Sequence, residues 1–157
     1  MAARFGGALA RLARATEADP DRRADLLQEM HVALWRSLPA FEGRCSERTW
    51  ALRIAHNVAA SHVRRARRAA PTVSLDRVDP ATEDGICEDL ARRQGLERAR
   101  ALVQELPAVD RQVVLLYLEG LEAAEIADIA GITPASVAQK IHRAKGLLAR
   151  KMNGGTP

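Results

Sequence analysis

The stretch Gly120-Leu-Glu-Ala-Ala-Glu-Ile-Ala-Asp-Ile-Ala-Gly-Ile-Thr-Pro-Ala-Ser-Val-Ala-Gln-Lys-Ile-His-Arg143 decides the fold of this chain. Ile126, Ile129 and Ala130 recur at helical spacing, so a first short helix has one apolar face. Gly131 follows, the residue best suited to the left-handed conformation that ends a helix. Ile132 can plug the gap between helices, Thr133 suits an N-cap, and Pro134 suits the first helical position, where a missing N–H costs little. In the second helix Val137, Ile141, Ala144 and Leu148 form the core stripe. At about 100° per residue, Gln139 and His142 point away from it, flanked by Ser136, Lys140 and Arg143. Turn length, cap and apolar pattern together describe a helix-turn-helix that presents its second helix to a major groove.

Composition sets the outer bounds. The chain has 157 residues, 47% of them apolar but only 3% aromatic, with alanine and arginine dominant. Strand-forming runs are scarce, so an all-α fold is expected, with one ordinary domain or two small ones. The net charge of +4 is unevenly spread. Arg64, Arg65, Arg67 and Arg68 form a basic block, whereas Thr72 to Leu90 sets Asp76, Asp79, Glu83, Asp84, Glu88 and Asp89 against Arg77 alone. Such alternation suits contact with a polyanion at selected places. Cys45 and Cys87 belong to no C-x-x-C pair, so a reduced, cytoplasmic setting fits better than a disulfide framework. No apolar run approaches the roughly 18 residues of a membrane span, so no membrane insertion is expected.

Punctuation divides the rest. Arg4 to Glu17 reads as a helix closed by Asp19-Pro20, and Asp21 to Leu38 as a second stopped by Pro39. Phe41 to Glu47 reads as a loop, with Ser46 or Thr49 capping a helix that runs to about Arg68. Pro71 to Asp89 lacks periodicity and reads as a mobile acidic tether. Helices resume near Ala91 and break at Leu106-Pro107. The expected organisation is a domain over residues 1–70, a linker over 71–90 and a second domain over 91–153.

Two faces in the first domain carry chemistry. Trp50, Ala51, Ile54, Ala55, Val58, Ala59 and His62 lie on a broad, mostly apolar arc of one helix. Arg53, His56, Asn57, Ala60, Arg64 and Arg67 share the other arc, combining cations for phosphate with an amide able to read a base edge. Trp50 sits beside a loop, where it suits either a core anchor or stacking on an unpaired base. In the preceding helix Leu27, Met30, His31, Leu34 and Leu38 form the buried face, with Asp25, Gln28, Glu29, Val32 and Arg36 opposite. An acid-and-amide patch of that kind suits a solvated face or the basic helix of a protein partner.

With both halves in view, the chain resembles the sigma factors of bacterial RNA polymerase, in the extracytoplasmic-function (ECF) group of the sigma-70 family. Asp25-Leu-Leu-Gln-Glu-Met-His-Val-Ala-Leu-Trp-Arg-Ser-Leu-Pro-Ala-Phe41 is similar to the region 2 helix that docks on the polymerase clamp. Arg48-Thr-Trp-Ala-Leu-Arg-Ile-Ala-His-Asn-Val-Ala-Ala-Ser-His-Val-Arg-Arg65 is similar to the helix that opens and reads the minus-ten element. Leu106 to Lys145 is similar to region 4, which reads the minus-thirty-five element. The resemblance implies a region 2 helical bundle and a region 4 helix-turn-helix joined by the acidic linker. It also implies an initiation subunit that performs no catalysis and carries no cofactor or metal, with core RNA polymerase, promoter DNA and an anti-sigma factor as partners.

By that resemblance Asp25, Gln28 and Glu29 would face polymerase. Trp50, Arg53, Asn57, Arg64 and Arg65 would meet minus-ten DNA, and the loop Gly43 to Glu47 would hold a flipped base. Ser136, Gln139, Lys140 and Arg143 would contact the minus-thirty-five groove and phosphates. The chain departs from the family's usual pattern at Ala138, at Ala60-Ser61 and at Arg22-Arg23. The alternative, a stand-alone helix-turn-helix regulator, leaves the Asp25–Glu29 face and the Trp50–Arg65 stripe unexplained. An enzyme lacks support: the four histidines show no zinc spacing with either cysteine, and no phosphate-cradling glycine loop exists.

Overall fold

A computed structural model of the chain describes residues 2–69 and 90–153, and all regular structure among them is helical. The helices are α1 (Ala2–Thr16), α2 (Pro20–Ser37), α3 (Glu47–Ala69), α4 (Leu90–Gln104), α5 (Ala108–Leu118), α6 (Ala123–Ala130) and α7 (Pro134–Asn153), with a 3-10 turn at Leu38–Ala40. The acidic tether expected over residues 71–90, and Cys87 within it, lies outside the described residues apart from Leu90, which opens α4.

Helices α1, α2 and α3 pack as a three-helix unit. Phe5, Leu9, Leu12, Leu26, Met30, Leu34, Ala51, Ala55 and Ala59 form its core. Small alanines on α3 let the helices approach closely, while leucines from α1 and α2 supply the bulk. The buried stripe of α2 is Leu26, Met30 and Leu34, whereas Leu27 and His31 are only half-buried. Placing the stripe on Leu27 and His31 is therefore corrected by one residue: Leu26, at i, i+4, i+8 with Met30 and Leu34, is the position facing α1 and α3. The Asp19 side chain accepts the N–H of Arg22 at 2.9 Å and Pro20 takes the first helical position, so α2 starts at a complete N-cap. Ser46 does the same for α3, accepting the Thr49 N–H at 3.0 Å.

The second unit forms from α5, α6 and α7, with α4 against α5 and α7. Gly131 ends α6 in the left-handed region, at φ 68°, and the N–H of Ile132 returns to the carbonyl of Ala127 at 3.1 Å. Thr133 Oγ1 then accepts the N–H of Ser136 at 3.2 Å, Pro134 opens α7, and Val137 is fully buried beneath Ile126 and Ile129. The turn read from the sequence is thus realised residue by residue.

The two units touch along a seam. Ala8 of α1 and Leu52 of α3, both buried, belong to the same apolar cluster as Val113, Leu116, Leu121 and Ile126. Leu115 in turn packs on the core of the first unit. Arg111 reaches from α5 to the carbonyl of Ala15 at 2.7 Å, satisfying an open C-terminal carbonyl of α1.

The Gly131 turn makes a stability prediction. A Cβ at Gly131 meets no atom within 4 Å, so Gly131→Ala incurs backbone strain alone. The expected loss is about 1 kcal/mol, lowering the melting temperature by about 3 °C. Thermal unfolding followed by circular dichroism checks this.

Candidate nucleic-acid interface

The helix-turn-helix presents α7 as a face with Ala138, Gln139, His142 and Arg143 all exposed. Ser136 is half-buried, its hydroxyl 2.9 Å from Thr133 Oγ1, so it belongs to the cap as much as to the face. Lys140 is also half-buried and bonds to Asp110 on α5, which anchors the reading helix to its own scaffold. Of the four residues expected at the minus-thirty-five element, Gln139 and Arg143 are open, and Ser136 and Lys140 are already engaged.

The face of α3 is divided along its length. Asn57, Arg64 and Arg65 are exposed; Arg64 contacts Ser61 at 3.0 Å, and Arg65 reaches Glu29 of α2 at 2.6 Å. That contact links a residue expected at DNA to one expected at polymerase. Toward the N-terminus the surroundings change. Trp50 stacks in a tilted arrangement on Phe41 with centroids 5.5 Å apart, and it packs against the core of the first unit. It also lines a cavity of about 790 Å³ with Phe41, Arg44, Cys45 and Arg53. Trp50 is thus the core anchor that one of the two sequence readings expected, and it also forms a wall of the cavity.

The far wall of that cavity comes from α6, through Ala124, Glu125 and Asp128. Arg53 pairs with Asp128 at 3.1 Å. The Thr49 hydroxyl donates to Glu125 Oε1 at 2.6 Å, while Glu125 Oε2 accepts the N–H of Glu122 at 3.0 Å. These bonds hold the Glu125 carboxyl below its ordinary pKa, the Thr49 hydroxyl contributing most. Below them Glu119, 8% exposed, receives Arg11 through two bonds of 2.5 and 2.9 Å and Arg48 through a third of 2.8 Å. The Glu119 hydrogen bond raises the pKa of Arg11.

His56 was expected on the open polar arc, but it is buried. With Leu52 and Ala59 it forms a third stripe of α3, and Leu52 on that stripe enters the seam with the second unit. A one-helix projection cannot show that Leu52 is covered, because the residues packed on it come from far along the chain. At the other end of the first unit, burial by itself would raise the Glu17 carboxyl. The hydrogen bond to His62 (2.7 Å), the N–H of Asp19 and the charge of Arg22 nevertheless bring it below its ordinary value.

The α2 face expected to meet polymerase is open: Asp25, Gln28 and Glu29 are exposed, followed along the helix by Val32 and by Trp35, which is 72% exposed. Sequence reasoning missed Trp35. Its signal was available, since it lies three residues beyond Val32 on the same outward stripe. Arg11 and Arg48 were also missed, because their partner Glu119 is remote in sequence.

An apolar groove of about 470 Å³ runs between α1, α4, α5 and α7, lined by Val103, Val114, Leu118 and Leu148 and rimmed by Arg11 and Lys145. Among the described residues no helix is long and apolar enough to cross a membrane.

Comparison with known proteins accords with this geometry. The family model for Sigma-70 region 2 matches residues 1–69, and that for Sigma-70, region 4 matches residues 96–148. The chain is 28% identical over 140 residues to the ECF RNA polymerase sigma factor SigX of Bacillus subtilis, covering 85% of this chain and 72% of that protein. It is also 28% identical over 138 residues to the ECF RNA polymerase sigma-E factor of Escherichia coli K12, covering 82% and 72%. In fold it is similar to the sigma factor RpoE in its complex with the anti-sigma factor NepR from Bartonella quintana, at a TM-score of 0.75 and 19% identity over 99% of this chain and 96% of that one. CnrH in complex with the cytosolic domain of CnrY matches at a TM-score of 0.65 and 24% identity, over 99% and 86%.

Burial of His56 predicts a pH effect. Desolvation lowers its pKa from the ordinary 6.5. Below that value the unfolded chain takes up a proton that the folded chain resists, so stability falls as pH drops through about 6.5. His56→Leu should flatten this fall, measured as melting temperature at a series of pH values from about 7 to about 5.5.

Proposed function

The chain belongs to the sigma-70 family, in its extracytoplasmic-function group, and we propose that its two helical units divide promoter recognition between them. Sigma factors of this family are initiation subunits and not enzymes; this chain performs no chemistry of its own. The division we assign is residues 1–70 for polymerase docking and the minus-ten element, 71–90 as linker, and 91–153 for the minus-thirty-five element. Core RNA polymerase and promoter DNA are the partners, and the cytoplasm is the compartment in which they meet.

The observation that carries this reading is the coexistence of two differently built faces on adjacent helices. Asn57 and Arg64 on α3 offer an amide and a cation to nucleic acid, the combination needed to read a base edge and hold a phosphate. Asp25, Gln28 and Glu29 on α2 offer the opposite charge beside exposed Val32 and Trp35. An open tryptophan ringed by polar groups is the composition of an interface anchor, not of a solvated face. A stand-alone regulator has no use for that second face. The groove between α1, α4, α5 and α7, apolar within and basic at its rim, suits an acidic amphipathic helix of an anti-sigma factor. One fold relative was solved in complex with the anti-sigma factor NepR and the other in complex with the cytosolic domain of CnrY.

Two variants separate the faces. Trp35→Ala should weaken binding to sigma-free core polymerase by about tenfold or more while leaving the chain folded. Asn57→Ala should leave core binding intact and reduce promoter opening, followed by permanganate footprinting. Equal loss of core binding in both variants would contradict the division.

On α7, Arg143→Ala should lower the salt dependence of binding to a minus-thirty-five duplex by about one unit of log–log slope. Titrating the holoenzyme on that duplex across potassium concentrations measures the slope.

A further inference from the structure

The seam between the two units has an ordered charge pattern. The first unit contributes Arg11, Arg48 and Arg53; the second contributes Glu119 and Asp128, with Glu125 accepting from Thr49 between them. All three acids engage the N-terminal half of α3, and Glu125 and Asp128 also wall the loop cavity beside Trp50. The remainder of the α3 stripe, at Asn57 and Arg64, is open, as are Gln139 and Arg143 on α7. Closure is therefore selective: it covers the part of the surface around the cavity and spares the rest.

The acids are also built to stay in place. Glu125 is fixed by the N–H that starts its own helix, and Glu119 ends α5 just before the turn at Gly120. Beside them Leu52 and Ala8 are buried against Leu116 and Ile126, giving the contact an apolar centre under a polar rim, the construction of a specific interface.

We propose that Glu119, Glu125 and Asp128 form an internal mimic of the nucleic-acid backbone, which occupies the Arg48–Arg53 surface and holds the free chain closed until a partner separates the units. This rests on the reading of Trp50 and Arg53 as minus-ten contacts. Carboxylates and phosphate oxygens satisfy arginine through the same charge-assisted, often bidentate bonds, so each excludes the other. DNA must displace the acids before it reaches Arg53, and the affinity of the free chain for DNA is reduced by the fraction that is closed. The device acts in cis and needs no second protein.

The test uses the full chain with Glu119→Gln and Asp128→Asn together, each close in size to the original. Asp128 is exposed at its side chain (76%), so Asp128→Asn alone serves as a second variant that leaves the core untouched. Asp21→Asn with Glu97→Gln gives the same charge change at exposed positions away from the seam. Small-angle scattering reports the radius of gyration, and fluorescence anisotropy reports binding of a labelled single-stranded oligonucleotide without polymerase. The proposal expects the seam variant to expand and to bind about fivefold tighter, Asp128→Asn to move in the same direction by less, and the charge-matched control to stay compact. Unchanged dimensions in both seam variants, or an equal gain in affinity in the control, overturns it. Adding Arg53→Ala to the seam variant should cancel the gain in affinity. Expansion with the gain retained would uphold the closed state and instead refute Arg53 as a DNA contact.

Discussion

Glu119 is the constraint around which the two units are arranged. A carboxylate this buried is tolerable only if it is paired and fully hydrogen-bonded, and two arginines from different helices of the other unit meet that requirement. Removing either unit would leave a charge without its partners. The residue also terminates α5, so the direction in which the chain enters the turn at Gly120, and hence the angle of α6, is set where the ion pairs form. The reading helix α7 inherits that angle through Ile126, Ile129 and Val137.

Interactions that are local along the chain were legible in the sequence. The turn from Ile126 to Val137 could be read because each step, from left-handed glycine to threonine cap to proline, is fixed by neighbours within a few residues. The starts of α2 and α3 were legible for the same reason. On α2, Met30 and Leu34 were read on the buried face, but Leu27 was taken in place of Leu26 because the two are chemically identical, and only the placement of α1 and α3 chooses between them.

Long-range pairing was not legible. Leu52 and His56 share one stripe of α3 and Arg53 lies beside it, and a helical projection places each without revealing what stands opposite. Leu52 is buried against α5 and α6, and Arg53 is paired with Asp128 of α6, both brought over from the other half of the chain. Charges raise the same difficulty: the sequence shows acids and bases in plenty, but only the fold selects Glu119 for Arg11 and Arg48 and gives Asp128 to Arg53. Trp35 was a different kind of miss. Its position was computable, and its exposure follows from the stripe it shares with Val32.

The contact between Arg65 and Glu29 has a consequence of its own. One residue belongs to the face assigned to nucleic acid and the other to the face assigned to polymerase, and in the free chain each partly neutralises the other. On the proposed assignment, a basic polymerase helix that engages Glu29 would release the guanidinium of Arg65, and a phosphate that engages Arg65 would release the carboxylate of Glu29. Thermodynamic reciprocity then requires each ligand to strengthen the other by the same factor, with no movement larger than a side-chain rotation. For an exposed pair the coupling is at most about 1 kcal/mol. On that assignment its direction would favour assembling all three components over any two, making the two binding events cooperative.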